Sequence, residues 1–230
     1  AEHYDRLLES SSRLHMGCPS KAWFEQGLQA YLALSEPHII KVILTRGSGG
    51  RGLQLPDEFE NNVYLLHYPV DISLFNQPVI ACCSAVALPE NKNLAGLKHL
   101  NRLDYVLASA ELKKRKGFNE ALLFNTAGFA VESIVNNLFF VKGSIVYTPA
   151  LDSSGVNGVM RQLILKILKR MLKEVKIGSF SRQDVLAADE IFLCNSVQGL
   201  RPVIQLEDAA FSIGPLTTKL QQEFNGHTGN

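Results

Sequence analysis

Two short stretches of the sequence, about thirty residues apart, contain a lysine and an acid that could act together. Lys98 lies in the stretch 96–103, where we predict the start of a helix, and Glu132 lies between Val131 and Ser133. A lysine amine can hold the aldehyde of pyridoxal phosphate covalently, and a carboxylate can keep the pyridine nitrogen protonated so that the ring accepts electrons. This pair predicts an enzyme of amino-compound chemistry and requires a phosphate-binding segment elsewhere in the chain.

Both side chains also have an ordinary structural interpretation. Catalytic lysines have no universal local signature, so Lys98 could extend from a helix start with its charge in water, although Leu97, Leu100 and Leu103 place it near a core. Glu132 could be an exposed acid on an alternating strand, whereas a buried acid needs a partner such as a pyridinium nitrogen. Both interpretations stay open at this point.

Two segments could bind a phosphate group. Gly155 and Gly158 allow a tight turn before a predicted long helix, and the first amides of that helix could bind an anion. These are the amides of Val159 and Met160. Ser196 follows a predicted strand and could donate its hydroxyl to phosphate. An ordinary loop-to-helix junction and a turn serine are the alternative interpretations.

The segment 47–52 has the glycine spacing of a dinucleotide-binding loop and follows a predicted strand. A dinucleotide fold needs a helix to begin at once within a strand-helix-strand unit, and residues 53–58 do not start one. A flexible loop flanked by Arg46 and Arg51 is better suited to cover a site that binds carboxylates, because the arginine fork matches a carboxylate in bidentate fashion.

Composition argues against several other classes of protein. The chain has 230 residues and a formal net charge of +1, which argues against a nucleic-acid or acidic-membrane partner. No apolar run approaches the ~20 residues that span a bilayer. The four cysteines form no CxxC pair and the six histidines show no HExxH spacing, so we expect reduced thiols in a cytoplasmic protein and no metal site.

The pattern predicts an α+β protein with a domain boundary within 71–77, and therefore domains 1–76 and 77–230. The first half is too thin for a complete sheet, so we expect the natural protein to begin upstream. The basic run 113–117 is predicted to be a solvated last helical turn.

The predicted helices are 2–16, 20–34 with Ser20 as N-cap, 99–116, 158–173 and 181–187. The predicted strands are 39–45, 62–68, 78–88, 120–125, 129–132, 136–142, 145–148, a short one near Val175, 190–195 and 202–206.

Several segments, taken in their order and spacing, resemble the aminodeoxychorismate lyases of the fold-type-IV pyridoxal phosphate family. The segments are His3-Tyr4-Asp5-Arg6, 45–52, 96–102, Glu132-Ser133, 136–139, 155–161 and Cys194-Asn195-Ser196. The resemblance implies two domains, a small α/β N-terminal one that lacks its first strands here and a larger strand-rich pseudo-barrel. It implies conversion of 4-amino-4-deoxychorismate to 4-aminobenzoate and pyruvate in folate biosynthesis, by a homodimer. The alternatives are a D-amino acid or branched-chain aminotransferase on the same scaffold and a non-catalytic partner protein.

The resemblance also implies a role for each candidate residue. Lys98 would be the catalytic amine, and Arg46 and Arg51 would bind substrate carboxylates. Asn195 is a weaker candidate than Ser196, because Ser196 aligns better with the hydroxyl position of the family. The residues implied to bind the cofactor are Arg6, Lys98, Glu132, Val159, Met160, Asn195 and Ser196.

Overall fold

A helix pair and an antiparallel hairpin form the first of two units in this computed structural model, which describes residues 2–32, 34 and 36–225. The chain divides between Ile72 and Ser73, within the segment where the periodic sequence pattern lapses. The first unit contains α1 (Glu2–Arg13), α2 (Lys21–Leu32), β1 (His38–Thr45) and β2 (Asn62–Pro69). Ser20 caps α2, because its hydroxyl accepts the Trp23 amide at 3.2 Å.

The loop between β1 and β2 contains the glycine-rich segment. The two strands pair antiparallel along their whole length, from His38 opposite Pro69 to Thr45 opposite Asn62. A Cβ on Gly47, which has a φ of +87°, would lie 1.9 Å from the Glu60 carbonyl oxygen. The glycines therefore shape a tight hairpin loop, and no helix follows β1 as a dinucleotide fold requires.

The second unit is built on a large mixed sheet. A short 3-10 turn (Ile72–Leu74) lies at its start. Its strands are β3 (Val79–Leu88), β4 (Glu120–Asn125), β5 (Ala130–Ser133), β6 (Asn137–Lys142), β7 (Ile145–Pro149), β8 (Val175–Gly178), β9 (Glu190–Asn195), β10 (Gly199–Leu206) and β11 (Ala209–Ala210). Its helices are α3 (Leu103–Leu112), α4 (Val159–Arg170), α5 (Arg182–Leu186) and α6 (Pro215–Asn225).

Six of these strands close on themselves. The pairings run from β3 to β4, β5 and β6, then through β9 and β10 back to β3. Only the β10–β3 and β3–β4 pairs of this ring are parallel. The ring is the barrel expected of the larger domain, and β7 with β8 extends the sheet from β6.

Apolar side chains pack on both faces of the sheet. One cluster contains alternate residues of several strands, among them Val79, Leu122 and Leu193. A second cluster joins the opposite face of β6 and β9 to α4 and α6, and a smaller one packs Leu123 beneath α3. Alternate residues of one strand therefore face opposite sides of the sheet, as the pleated backbone requires.

Three details differ from the sequence-based expectation. The helix predicted over 99–116 is shorter, because it begins only after Arg102 and ends at Leu112. The basic run is not simply a solvated turn, since Arg115 binds Glu207 at 2.8 Å and the Cys83 carbonyl oxygen at 3.2 Å. The sequence pattern also missed β11 and α6.

None of the helices within the described residues is long and apolar enough to cross a bilayer.

Candidate active site

Glu132 lies near the end of β5, where the pairing with β4 is irregular. Leu123 pairs with Glu132 and Phe124 pairs with Ala130, so Val131 is an extra residue in the ladder. Such a bulge redirects the neighbouring side chains. Glu132 is only 4% exposed, and all four residues of β5 are buried. The alternative of an exposed acid on an alternating strand is therefore wrong.

The Glu132 carboxylate accepts three hydrogen bonds. The Tyr105 hydroxyl donates to Oε1 at 2.5 Å, while the Asn137 side-chain amide at 3.0 Å and the Val156 backbone amide at 3.1 Å donate to Oε2. A carboxylate offers about four acceptor positions. The carboxylate therefore retains capacity for a further donor, such as a protonated ring nitrogen.

Burial raises the pKa of Glu132, and several neighbours oppose it. The hydrogen bonds from Tyr105 and Val156 lower this pKa, as do the positive charges of Arg102 and Lys98. The lysine charge thus acts on the same carboxylate that the sequence paired with it. A further cation or N–H donor at this carboxylate would favour its ionised form still more.

Lys98 lies on an irregular segment and not at a helix start. Gly96 pairs with the segment that precedes α4. Its amide donates to the Gly155 carbonyl oxygen at 3.0 Å, and its carbonyl oxygen accepts the Asn157 amide at 2.9 Å. Leu97 is buried and the Lys98 side chain is exposed. Because Leu100 and Leu103 are exposed, the expectation that they place Lys98 against a core is wrong.

Arg102 holds the backbone on both sides of Lys98. Its Nη2 donates to the Leu97 carbonyl oxygen at 2.7 Å and its Nε to the His99 carbonyl oxygen at 3.2 Å. The same guanidinium lies 4.7 Å from the centre of the Tyr105 ring. One arginine therefore connects the lysine segment to the helix that carries the partner of Glu132.

The segment before α4 passes closely by the acid. A Cβ on Gly155 would lie 2.7 Å from Leu151 and Val131 side-chain atoms, and one on Gly158 would lie 2.2 Å from Asn137 Oδ1. Glycine is needed at both positions because the backbone approaches these groups so closely.

Gly158 is the N-cap residue of α4 and has no side chain that could cap the helix. The first amides of α4, those of Val159 and Met160, are the donors that the sequence assigned to phosphate. A helix start of this kind favours a negative group through its amides and its dipole.

A buried arginine fixes the first turn of α4. Arg161 is 5% exposed. It donates to the Asn157 Oδ1 atom at 3.0 Å, the Pro149 carbonyl oxygen at 3.0 Å and Thr148 Oγ1 at 3.3 Å. Burial lowers its pKa, and the negative charge of Glu132 opposes that effect. These contacts join α4 to β7 and position the helix start.

Asn195 and Ser196 lie at the turn between β9 and β10. Asn195 Oδ1 accepts the amides of Val197 at 2.8 Å and Gln198 at 2.6 Å, and its Nδ2 donates to the Val135 carbonyl oxygen at 3.3 Å. This amide is committed to the turn, which weakens its assignment to the cofactor. The Ser196 side chain is exposed in the same turn.

The three predicted arginines of the first unit differ in their surroundings. Arg6 lies half-buried on α1, and burial lowers its pKa. Arg46 Nη1 and Nη2 donate to the carbonyl oxygens of His15 and Leu14 at 2.8 and 2.6 Å. Both terminal nitrogens of Arg46 thus bind the turn that follows α1, which leaves three of its five N–H groups for a substrate carboxylate, and that assignment stays a prediction. Arg51 is exposed in the glycine loop and remains a predicted carboxylate ligand.

The sequence did not single out three residues of this site, namely Arg102, Tyr105 and Asn137. Tyr105 lies one helical turn after Arg102, and Asn137 directly follows Asn136 in an apolar run. Neither pattern identifies a partner of a distant acid. Within the ranges 2–32, 34 and 36–225, no group of three or more His, Cys, Asp and Glu side chains could hold a metal ion.

Known proteins resemble this chain in sequence and in structure. The family described as Amino-transferase class IV matches residues 1–206. An aminodeoxychorismate lyase of Vibrio harveyi is 36% identical over 201 residues, which is 81% of this chain and 71% of that protein. A branched-chain-amino-acid aminotransferase of Escherichia coli is 27% identical over 196 residues, covering 81% of this chain and 63% of the relative.

A solved structure has the same fold over nearly the whole chain. It is the crystal structure of 4-amino-4-deoxychorismate lyase from Pseudomonas aeruginosa, with a TM-score of 0.90 and 34% sequence identity. The match covers 98% of this chain and 84% of that one. The similarity therefore extends over both units and is not limited to the barrel.

Proposed function

Because the chain belongs to the class IV aminotransferase family, we propose that it is a lyase that converts 4-amino-4-deoxychorismate to 4-aminobenzoate and pyruvate. It is a pyridoxal-phosphate-dependent enzyme of fold type IV. The observation that carries the lyase assignment is its 36% identity to an aminodeoxychorismate lyase over 81% of the chain, with Lys98 and Glu132 both present.

The residues of the second unit fit this cofactor. The buried Glu132 has three donors and room for one more, as a pyridinium nitrogen requires. An uncapped helix start carries the amides proposed for phosphate. Lys98 lies on an exposed segment whose ends are fixed by Gly96 and Arg102. When bound, the cofactor supplies an electron-poor ring that accepts the electron pair released at the substrate carbon.

Each residue then has a separate proposed role. Lys98 Nζ would hold the cofactor through its aldehyde. The same amine would take the proton from the substrate carbon that bears the amino group, and it would return a proton to the departing three-carbon fragment. Glu132 would keep the ring nitrogen protonated. Loss of pyruvate leaves an aromatic ring, which drives the reaction forward.

The phosphate would be bound by the amides of Val159 and Met160 and by the Ser196 hydroxyl. Arg6 is a further predicted phosphate ligand from the resemblance, and Arg51 a predicted ligand of a substrate carboxylate. Asn195 is the weakest of the proposed ligands, because its side chain is used within the β9–β10 turn.

An aminotransferase activity is the second candidate, favoured by the 27% identity to a branched-chain aminotransferase. The two activities differ in their co-substrates. A lyase releases pyruvate from 4-amino-4-deoxychorismate without any amino acceptor. An aminotransferase moves nitrogen from D-alanine or a branched-chain amino acid only when a keto acid is present.

The test uses the purified chain reconstituted with pyridoxal phosphate. Pyruvate release is followed with lactate dehydrogenase, and borohydride treatment followed by peptide mass spectrometry locates the cofactor. We expect the label on Lys98 and loss of turnover in Lys98→Ala, while Lys142→Ala, an exposed lysine on β6, behaves like the wild type. Wild-type turnover in Lys98→Ala would reject the assignment.

We further propose a homodimer that acts in the cytoplasm, within folate biosynthesis. Leu103, Val106 and Leu107 form one stripe on α3 and are 64%, 60% and 51% exposed. Contiguous exposed apolar surface is unusual on a monomer, which supports a second subunit. Light scattering should give twice the chain mass, and a monomeric mass at assay concentration would contradict the homodimer.

A further inference from the structure

Tyr105 lies in the first turn of α3 with its hydroxyl 2.5 Å from Glu132 Oε1. Its ring packs against the small apolar cluster beneath α3, with the Arg102 guanidinium 4.7 Å from its centre. Burial is the main cause that raises the pKa of Tyr105, and the negative charge of Glu132 adds to it. The phenol therefore keeps its proton across the physiological range and always acts as a donor.

Oε1 and Oε2 of Glu132 have different partners. Oε2 accepts the amide of Asn137, on the neighbouring strand β6, and the amide of Val156, in the segment that leads into α4. The Tyr105 hydroxyl donates to Oε1. Without this hydroxyl, Oε1 of a buried carboxylate would lose that donor, and burial would favour the protonated acid.

We propose that Tyr105, held by Arg102, is a positioning residue that orients the Glu132 carboxylate and keeps it ionised toward the cofactor ring nitrogen. This inference rests on the proposed function, because it assumes that the ring nitrogen faces Glu132. Arg102 gives the arrangement its second half. It binds the carbonyl groups of Leu97 and His99 on either side of Lys98. Arg102 therefore contacts both the backbone around Lys98 and the tyrosine that binds Glu132.

The consequence is measurable at the ring nitrogen. An ionised Glu132 stabilises the protonated ring, whereas a protonated Glu132 does not. Removal of the hydroxyl should therefore lower the pKa of the ring nitrogen. The expected shift is about one to two pH units, the size of one hydrogen bond to a charged group. Cofactor binding should weaken by about tenfold or more.

The experiment compares Tyr105→Phe with the wild type, each loaded with pyridoxal phosphate that carries 15N in the ring. The 15N chemical shift followed against pH reports the protonation of that atom directly. Tyr147→Phe is the matched control. It also removes a phenol hydroxyl, but its ring stacks on Phe140 in the cluster that contains Val79, Leu122 and Leu193. Replacement of Tyr105 by 4-aminophenylalanine restores a donor at the same position and should restore the wild-type titration.

A second measurement needs no cofactor. In protein with 13C-labelled glutamate carboxyl groups, the Glu132 signal is assigned from its absence in Glu132→Gln. Its titration should move to higher pH in Tyr105→Phe and stay unchanged in Tyr147→Phe. Equal Glu132 titrations in wild type and Tyr105→Phe would overturn the role of Tyr105.

The two hypotheses fail differently. If borohydride places no label on Lys98 in the wild type, the proposed function fails, and the ring-nitrogen part of this inference fails with it. If the wild type is labelled but its 15N titration matches that of Tyr105→Phe, only the inference fails. A titration shifted in Tyr105→Phe and restored by 4-aminophenylalanine supports both, since a merely structural role of the ring would not depend on the donor.

Discussion

Asn137 Nδ2 lies 3.0 Å from Glu132 Oε2 and 2.7 Å from the Val156 carbonyl oxygen. One side-chain amide therefore ties the acid of β5 to the segment that leads into α4. Asn137 also faces Cys194 across the β6–β9 pair, next to the turn that carries Ser196. Because Asn137 binds both segments, a single substitution at this position should affect the acid and the helix start together.

Asn137→Asp tests this connection. The new carboxylate would replace a donor to Glu132 by a like charge, and it would leave the Val156 carbonyl without its side-chain donor. We expect the free energy of unfolding to fall by about 1–3 kcal/mol and cofactor binding to weaken. Urea unfolding and a cofactor titration measure the two effects. Asn119→Asp is a matched control, because Asn119 is exposed and its side-chain oxygen, which accepts the Ile80 amide, is kept by aspartate. Equal effects in both variants would contradict the connection.

The pH dependence of stability should reveal the buried acid. Burial raises the pKa of Glu132 above its unfolded value of about 4.3. Between these two pKa values the folded state holds a proton that the unfolded state has released. Stability contributed by the protonated acid is therefore complete below the unfolded pKa and is lost as pH rises through the folded pKa.

Glu132→Gln removes this titration from the cofactor-free protein. The free energy of unfolding of the wild type relative to Glu132→Gln should decrease as pH rises from about 4, then level off above the folded pKa. Urea unfolding of both proteins over a pH series measures the difference, with Glu174→Gln as an exposed control. A difference that grows in favour of the wild type with rising pH would show the opposite sign and contradict the assigned burial effect.

The sequence predicted much of this fold because its elements follow simple periods. The strand predicted over 39–45 is His38–Thr45, and the helix predicted over 158–173 is Val159–Arg170. The helix before which Lys98 lies was predicted too long at both ends. Its true start depends on Arg102, whose bonds to the backbone of residues 97 and 99 are not a periodic signal.

The candidate site was less predictable, since tertiary contacts decide it. Residue types pointed to Lys98 and Glu132, but the direction of Glu132 depends on the extra residue Val131 in the β4–β5 ladder. Tyr105 meets Glu132 only because α3 packs over β4 and β5. The sequence also could not tell that Arg46 binds the turn after α1, because any arginine beside a glycine loop has the same local pattern.

Arg46 and Arg51 should therefore behave differently when replaced by alanine. Arg46→Ala loses two hydrogen bonds from a charged group and the contact of its guanidinium with Phe59, so stability should fall by about 1–3 kcal/mol. Arg51→Ala should leave the thermal midpoint unchanged. Loss of one hydrogen bond to a substrate carboxylate should raise KM by roughly 10- to 100-fold.

Thermal unfolding and steady-state kinetics on both arginine variants provide the comparison. Arg51→Lys is the finer control, because it keeps the charge and loses the two-pronged guanidinium. Its KM should lie between those of the wild type and Arg51→Ala. An unchanged KM in Arg51→Ala would remove Arg51 from the predicted substrate site. An unchanged stability in Arg46→Ala would show that its contacts with α1 contribute little.

Gly158→Ala should disturb the helix start and the acid through one atom. The new Cβ would lie 2.2 Å from Asn137 Oδ1, so Asn137 or the first turn of α4 must shift. Overpacking of this kind typically lowers the free energy of unfolding by about 1–3 kcal/mol. Cofactor binding should weaken as well, because the amides of Val159 and Met160 follow directly. Gly178→Ala is the control, since its Cβ would meet Phe180 at an ordinary 3.5 Å. Cofactor binding in Gly158→Ala equal to that in Gly178→Ala would argue that the start of α4 does not hold the phosphate.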